Sequence, residues 1–293
     1  IIIENSSSKN IILRLKNFLW INFGLFHSIN YCLKLFISKN TERTKKIISQ
    51  SSVRLIDTFI LQNSINEGKY IERNYPGMLK YVKDKDRNSI FFVPHIVAKH
   101  KPSDLQKIYE SSEENIVYKQ DFLKIQDYIY SLLSIIKIHK LNNVPVIFKN
   151  FNILPLINEE IAIKKYVKSI SGLLNFYFIK RLKKKTVDLK LVLDWFENQH
   201  LDKGFNLGVN TFYPNVCHIG YKGYPNTDDY VFFTNPIEFE VINKLIPKTL
   251  AIIGEGYKNI NKKYCSNQKL LVTGGFRFSD LWDSKRTRDS VPN

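Results

Sequence analysis

The stretch "WFENQHLDKG", residues 195 to 204, follows directly on the apolar run "LKLVLD". It sets one carboxylate, two amides, an imidazole and an Asp-Lys pair at what reads as the carboxyl end of a buried strand. Glu197, beside the aromatic Trp195 and Phe196, has the surroundings of a general base, since apolar neighbours disfavour a bare carboxylate and raise its proton affinity. Asn198 and Gln199 each offer donors and an acceptor in fixed geometry, which suits the orientation of a hydroxylated ligand. The competing structural reading has Glu197 and Asn198 capping the next helix and Asp202 and Lys203 forming a surface pair. A second loop, "VCHIGYKGYPN", brings His218, Tyr221, Lys222, Gly223 and Tyr224, a mixture suited to stacking on a sugar ring or holding a phosphate. Asp57 lies inside the apolar run "LIDTFIL", where an unpaired carboxylate is costly, and Arg73 of "ERNYPG" is its expected ion-pair partner.

Several chemistries leave no trace. "IIGEGYKN" has Gly254 and Gly256 after a strand but no third glycine of a dinucleotide fingerprint, and there is no P-loop. The six histidines show no metal spacing, and Asp228-Asp229 lacks the D-x-D pattern, so neither a metal nor a cofactor is expected. No Ser stands in a G-x-S-x-G elbow.

The elements that must position these residues are strands alternating with helices. Continuous apolar runs at 53–61, 89–94, 144–149, 189–196, 216–221, 230–234, 249–254 and 270–274 predict strands covered on both faces. Helical patterns are expected near 76–83, 102–110, 121–140, 156–185, 199–209 and 236–246. Within 156–185, Glu159 and Glu160 at the start and Lys183, Lys184 and Lys185 at the end complement the helix dipole. The alternation predicts an α/β chain with a Rossmann-like parallel sheet flanked by helices. Ligands then gather beyond the carboxyl ends of the strands, where "ENQHLDKG" falls.

The chain has 293 residues, 44% of them hydrophobic, enough for a sizeable core. Its 44 Lys and Arg against 27 Asp and Glu give a formal charge of +17, which favours an acidic partner such as an anionic membrane surface or a nucleotide. No nucleic-acid recognition motif accompanies that charge, so no specific nucleic acid is expected. Cys32, Cys217 and Cys265 form no C-x-x-C or paired framework, as in a reducing compartment. With no signal-peptide pattern, the chain reads as cytoplasmic and, opening on Ile1 rather than Met, as part of a longer protein. The segment from Phe18 to Ile37 is its most apolar, but Asn22, His27, Asn30 and Lys34 interrupt it. A core or interfacial helix is the expectation, and the flanking Arg14, Lys16 and Lys39 also suit a helix lying on a membrane.

Five stretches in order, "IDTFILQNSINEGKYIERNYPGML", "WFENQHLDKG", "HIGYKGYPN", "LIPKTLAIIGEGYK" and "GGFRFSDLW", resemble bacterial surface-carbohydrate (lipopolysaccharide and capsule) biosynthesis proteins. Those are similar to two-domain glycosyltransferases of the GT-B type, including enzymes that use a CMP-linked 3-deoxy-octulosonic acid. The likeness covers roughly residues 50 to 283. It implies an N-terminal helical segment at 1–50, a Rossmann-like acceptor-side domain at 51–276, and a linker at 277–293 leading to a C-terminal nucleotide-sugar domain. It also implies a nucleotide-sugar donor bound mainly through that domain and a glycan acceptor, while the basic surface and the apolar 18–37 segment fit work on lipid-linked glycan at the inner face of the membrane. Carried over by position, Glu197, Asn198 and Gln199 face the cleft. Glu197 is the first choice for the acting carboxylate, as base or nucleophile, with Asp202 and then Asp194 behind it. Lys203, His218, Tyr221 and Lys222 join Asn198 and Gln199 as substrate-binding candidates. Arg277 of "GFRF" suits bidentate contact with an anionic sugar or phosphate, or equally a hinge salt bridge. The alternative is a non-catalytic module that binds glycan or docks a partner without transfer.

Overall fold

The computed structural model describes residues 6–61, 64–66, 69–97, 101–141, 145–157, 166–224 and 235–278. Six strands form one parallel sheet: β1 (Val53–Ile60), β2 (Ile90–Ile96), β3 (Leu189–Trp195), β4 (Cys217–Lys222), β5 (Thr249–Ile253) and β6 (Lys269–Thr273). Their order is β6-β5-β4-β3-β1-β2. From β1 the chain steps outward to β2 and then returns to add β3 on the other side, which puts the topological switch between β1 and β3.

Helices cover the sheet: α1 (Ser6–Ile37), α2 (Pro102–Ser111), α3 (Ile125–Leu141), α4 (Tyr166–Lys184), α5 (His200–Phe212), α6 (Glu238–Ile242) and α7 (Lys258–Tyr264). The alternation of each strand separates two cores. Val53, Leu55, Phe91, Val93 and Val192 face Leu174 and Phe178 of α4 and Phe205 of α5. Ile56, Phe92, Trp195 and Tyr221 point the other way, onto Tyr75 and Met78. By the same alternation Asp57, His95, Asp194 and His218 belong to the α4/α5 side. Buried apolar runs on both faces are what the sequence pattern demanded, and the Rossmann-like α/β expectation holds. Pro94 is tolerated because β2 is the last strand of the sheet.

Three expectations need correction. The apolar run at 144–149 adds no strand to the six-stranded sheet; Ile147–Phe148 is a strand, but it pairs with Phe151–Asn152 in an exposed hairpin whose tip, Lys149 and Asn150, takes left-handed backbone angles. The helix expected at 76–83 is a single 3-10 turn, Met78–Tyr81, entered through Gly77 at φ 68°. Near 236–246 only Glu238–Ile242 is helical, and Lys244 turns the chain away at φ 60°. The expected strand 230–234, and Glu159 and Glu160, lie outside the described residues, as do residues 279–293 of the expected linker. Among the described residues no helix is long and apolar enough to cross a membrane.

Candidate functional site

A cleft of about 560 Å3 opens beyond the carboxyl ends of β1, β2 and β3, at the switch point. Phe59 and Ile96 leave the strand ends to form part of its lining, Trp195 and Glu197 form another part, and Tyr31 and Ser171 reach it from α1 and α4. Glu197 is half-buried and its carboxylate is held at both oxygens. Trp195 Nε1 donates to Oε1 at 2.9 Å, and Gln199 Nε2 donates to Oε2 at 2.6 Å. Arg277 stands on the same cleft with its guanidinium carbon 5.6 Å from the centre of the Trp195 ring. The indole therefore braces a carboxylate through its N–H and a cation through its face.

Asp202 explains why Glu197 stays there. Its Oδ2 accepts the backbone N–H of Glu197 at 3.0 Å and that of Gln199 at 2.8 Å, so it closes the first turn of α5 from the third helical position. The surface-pair alternative for Asp202 and Lys203 fails, because Asp202 is buried and Lys203 turns to Glu240 Oε1 at 2.5 Å. The capping alternative for Glu197 and Asn198 fails too, since Gln199 is the N-cap. Asn198 sits at φ 58° and donates to Asn235 O and Glu240 Oε2, both at 3.2 Å, so it ties the loop to α6 and is absent from the cleft lining.

Behind the cleft lies a polar cluster that local pattern did not reveal. Asp57 does not pair with Arg73, which is exposed; its Oδ1 lies 2.6 Å from His95 Nε2. The last paired residues of β1 and β3 are Ile56 and Leu193, so the two aspartates stand side by side one step further on. Burial drives the Asp57 carboxyl well above the usual range. Asp194 is raised by burial and by Asp57, and Asp202 by burial and by both of the others. His95 is pushed down to about 3, chiefly by burial. The buried Lys119 amine donates to Ser171 Oγ at 3.2 Å and Asn175 Oδ1 at 2.9 Å and adds positive potential behind the cleft. On the opposite wall, buried Glu72 accepts from Thr58 Oγ1 at 2.9 Å, Tyr70 OH at 2.6 Å and Asn74 N at 2.7 Å, which fixes Asn74 on the cleft.

The remaining candidates lie apart from the cleft. His218 is buried between Asn206 and Asn210 under α5. Tyr221 is buried against Trp195, with its hydroxyl donating to Gly274 O at 3.2 Å and accepting from Phe276 N at 2.8 Å. Lys222 is buried too; its amine donates to Asn235 Oδ1 at 2.6 Å and Asn261 Oδ1 at 2.9 Å, and burial lowers it to about 8. So the cleft gathers Glu197, Gln199 and Arg277 from the expected set and adds Asn74, Lys168 and His200. Among the described residues no group of three or more His, Cys, Asp or Glu is arranged to hold a metal ion. No family model, no curated protein and no solved structure matches the chain.

Proposed function

We propose that the chain is the acceptor-side domain of a glycosyltransferase of bacterial surface-carbohydrate synthesis. The observation that carries this reading is Glu197, a carboxylate on a cleft at the sheet's switch point, steadied at both oxygens on a lining that includes the aromatic ring of Phe59. Sugar rings pack their C–H faces on aromatic rings, and the amides of Asn74 and Gln199 supply hydroxyl partners. Glu197 takes the proton of an acceptor hydroxyl as that oxygen attacks the anomeric carbon of the donor. The bond from that carbon to the donor's phosphate oxygen breaks, and the nucleotide leaves with the electron pair. Arg277 and Lys168 supply positive charge for an anionic sugar or the departing phosphate. On the sequence resemblance the donor is a CMP-linked sugar such as 3-deoxy-octulosonic acid, brought by a C-terminal nucleotide-sugar domain, and the acceptor is a glycan or lipid-linked glycan. The unpaired thiols of Cys32, Cys217 and Cys265 suit work in the cytoplasm.

The test is transfer from a radiolabelled CMP-sugar to a glycan acceptor by the full gene product. Glu197→Gln keeps the shape and removes the charge, and turnover falls about a hundredfold or more with acceptor binding retained. Wild-type-like turnover in that variant removes Glu197 from the mechanism. Saturable glycan binding without transfer by the wild type replaces the enzyme with a glycan-binding module.

A further inference from the structure

We propose that the outward face of α1, continued by α3, docks on an anionic lipid bilayer. At 3.6 residues per turn Phe36, Ile29, Leu33, Phe26 and Ile37 fall within an arc of about 100°. All five are exposed, Phe26 by 66% and Ile37 by 70%, whereas Ser28, Cys32 and Leu35 on the other side are buried. The face continues onto α3 through Ile125, Ile129 and Leu133, also exposed. The two helices are joined where they meet: the Phe36 ring lies edge-on to Tyr128 at 6.2 Å, and Lys39 Nζ donates to Leu123 O at 2.6 Å. A continuous apolar surface on two adjoining helices is more than the scattered single residues of an ordinary protein exterior.

The charge around this face selects the occupant. From Asn5 to Thr41 there is no Asp or Glu, while Lys9, Arg14, Lys16, Lys34 and Lys39 are all cationic. Lys34 and Lys124 are exposed beside the apolar arc. A second copy of the chain, carrying the same +17, meets repulsion there, whereas an anionic headgroup layer meets complementary charge over a surface that takes up aromatic and aliphatic side chains. Asn30 and Lys34 on the exposed side keep α1 in the interface plane. The inner side of the same helix carries Tyr31, which lines the cleft and meets Ser171 Oγ at 3.0 Å. One helix diameter, about 10 Å, thus separates the cleft from the bilayer, within reach of a lipid-borne acceptor. That last clause rests on the transfer reaction proposed above; the docking does not.

The experiment is sedimentation of the protein with vesicles of phosphatidylcholine alone or mixed with phosphatidylglycerol. Binding is expected only to the mixed vesicles, weakening with salt, about fivefold weaker for Lys34→Gln and more than about tenfold weaker for Phe26→Ser with Leu33→Ser. Equal binding by the double variant overturns the proposal, as does a concentration-dependent dimer that the double variant abolishes in the absence of vesicle binding. Should the double variant fail to fold, Asn30→Cys on a Cys217→Ser background, carrying an environment-sensitive dye, gives the second measurement. A blue shift on mixed vesicles sustains docking, and an unchanged spectrum refutes it. None of these readouts requires transferase activity, so failure of the docking and failure of the enzyme assignment are separable.

Discussion

His95 Nε2 lies 2.6 Å from Asp57 Oδ1 with both side chains buried. A neutral pair suits this buried contact: the Asp57 acid keeps its proton beside an uncharged imidazole. Burial works in that direction on both groups, holding the carboxyl well above its usual range and the imidazole down to about 3. An ion pair here would have to repay the desolvation of two charges, and burial is the largest influence on both groups. Two buried aspartates side by side cost less as neutral acids than as two negative charges.

Asp57→Asn tests this through the pH dependence of stability. The folded-state affinity of Asp57 for its proton is raised, so its stabilisation is complete below the ordinary carboxyl range near 3.8 and is lost as pH rises through the raised value. The amide mimics the protonated acid and does not titrate. Unfolding in urea should show the variant gaining on the wild type as pH rises from about 4, by up to about 1.4 kcal/mol per pH unit. A gap independent of pH would mean that Asp57 is ionised in the fold.

The placement of α5 against α4 rests on glycines at their crossing, Gly204 and Gly172 most tightly. A Cβ on Gly204 would run into the Gly172 carbonyl, and one on Gly172 would come within 2.5 Å of His200 O. Helix propensity alone would make Gly204→Ala stabilising by about 1 kcal/mol, but the obstacle is backbone and cannot rotate away, and overpacking costs about 1–3 kcal/mol or more. Net destabilisation of about 2 kcal/mol is expected in denaturant titration. Gly256→Ala, where a Cβ meets nothing within 4 Å, is the control and should stay within about 0.5 kcal/mol of wild type. Equal stability of the two variants would show that the helices separate freely.

How far sequence reached follows from how local each signal is. Apolar runs such as "LKLVLDW" announce buried strands by themselves, and a polar stretch behind one marks a carboxyl end, so Glu197 and Gln199 were legible as a cleft wall. Asp57 was legible as a costly buried acid, but its partner was not. Arg73 is near in sequence, whereas His95 becomes a neighbour only through the pairing of Phe59 with His95 across β1 and β2. The same limit hid not Asp202 itself but its positioning role, since its bond to Glu197 N depends on the turn between strand and helix. The run "VPVIFK" misled because apolar content cannot tell a sheet strand from an exposed hairpin.

Protonation behind α5 can be read from His218. Asn210 Nδ2 is committed to Lys244 O and Ile246 O, both at 2.9 Å, so Asn210 Oδ1 accepts from His218 Nδ1 at 3.0 Å. His218 Nε2 faces Asn206 Oδ1 at 2.8 Å while Asn206 Nδ2 donates to Asp194 Oδ2 at 2.9 Å, an orientation suited to an imidazolium and a carboxylate. Burial opposes both charges, pushing His218 down to about 3 and Asp194 well up. Turning the Asn206 amide over serves the neutral forms, with the Asp194 acid donating to Oδ1 and Nδ2 donating to His218. Long-range nitrogen NMR should find His218 neutral and protonated on Nδ1 at neutral pH. The lowered value makes this contribution to stability complete above about 6.5 and lost as pH falls toward 3. A doubly protonated ring at neutral pH would fix the zwitterionic arrangement instead.

In the transfer reaction proposed above, Asp202 is a positioning residue and Glu197 the proton acceptor. Its Oδ2 is committed to the N–H groups of Glu197 and Gln199, burial foremost raises its carboxyl well above the usual range, and it is absent from the cleft lining. Asp202→Asn retains an acceptor oxygen, so transfer should stay within about tenfold of wild type and stability within about 1 kcal/mol. Asp202→Ala strands two N–H groups at the start of α5. It should cost about 2 kcal/mol and let Glu197 drift, lowering kcat more than it raises KM. Rescue by Asn but not by Ala is the signature of a group that acts through Glu197. If Asp202→Asn instead abolishes transfer while Glu197→Gln retains it, the proton passes through Asp202, and the cleft must open one layer deeper for the acceptor to reach it.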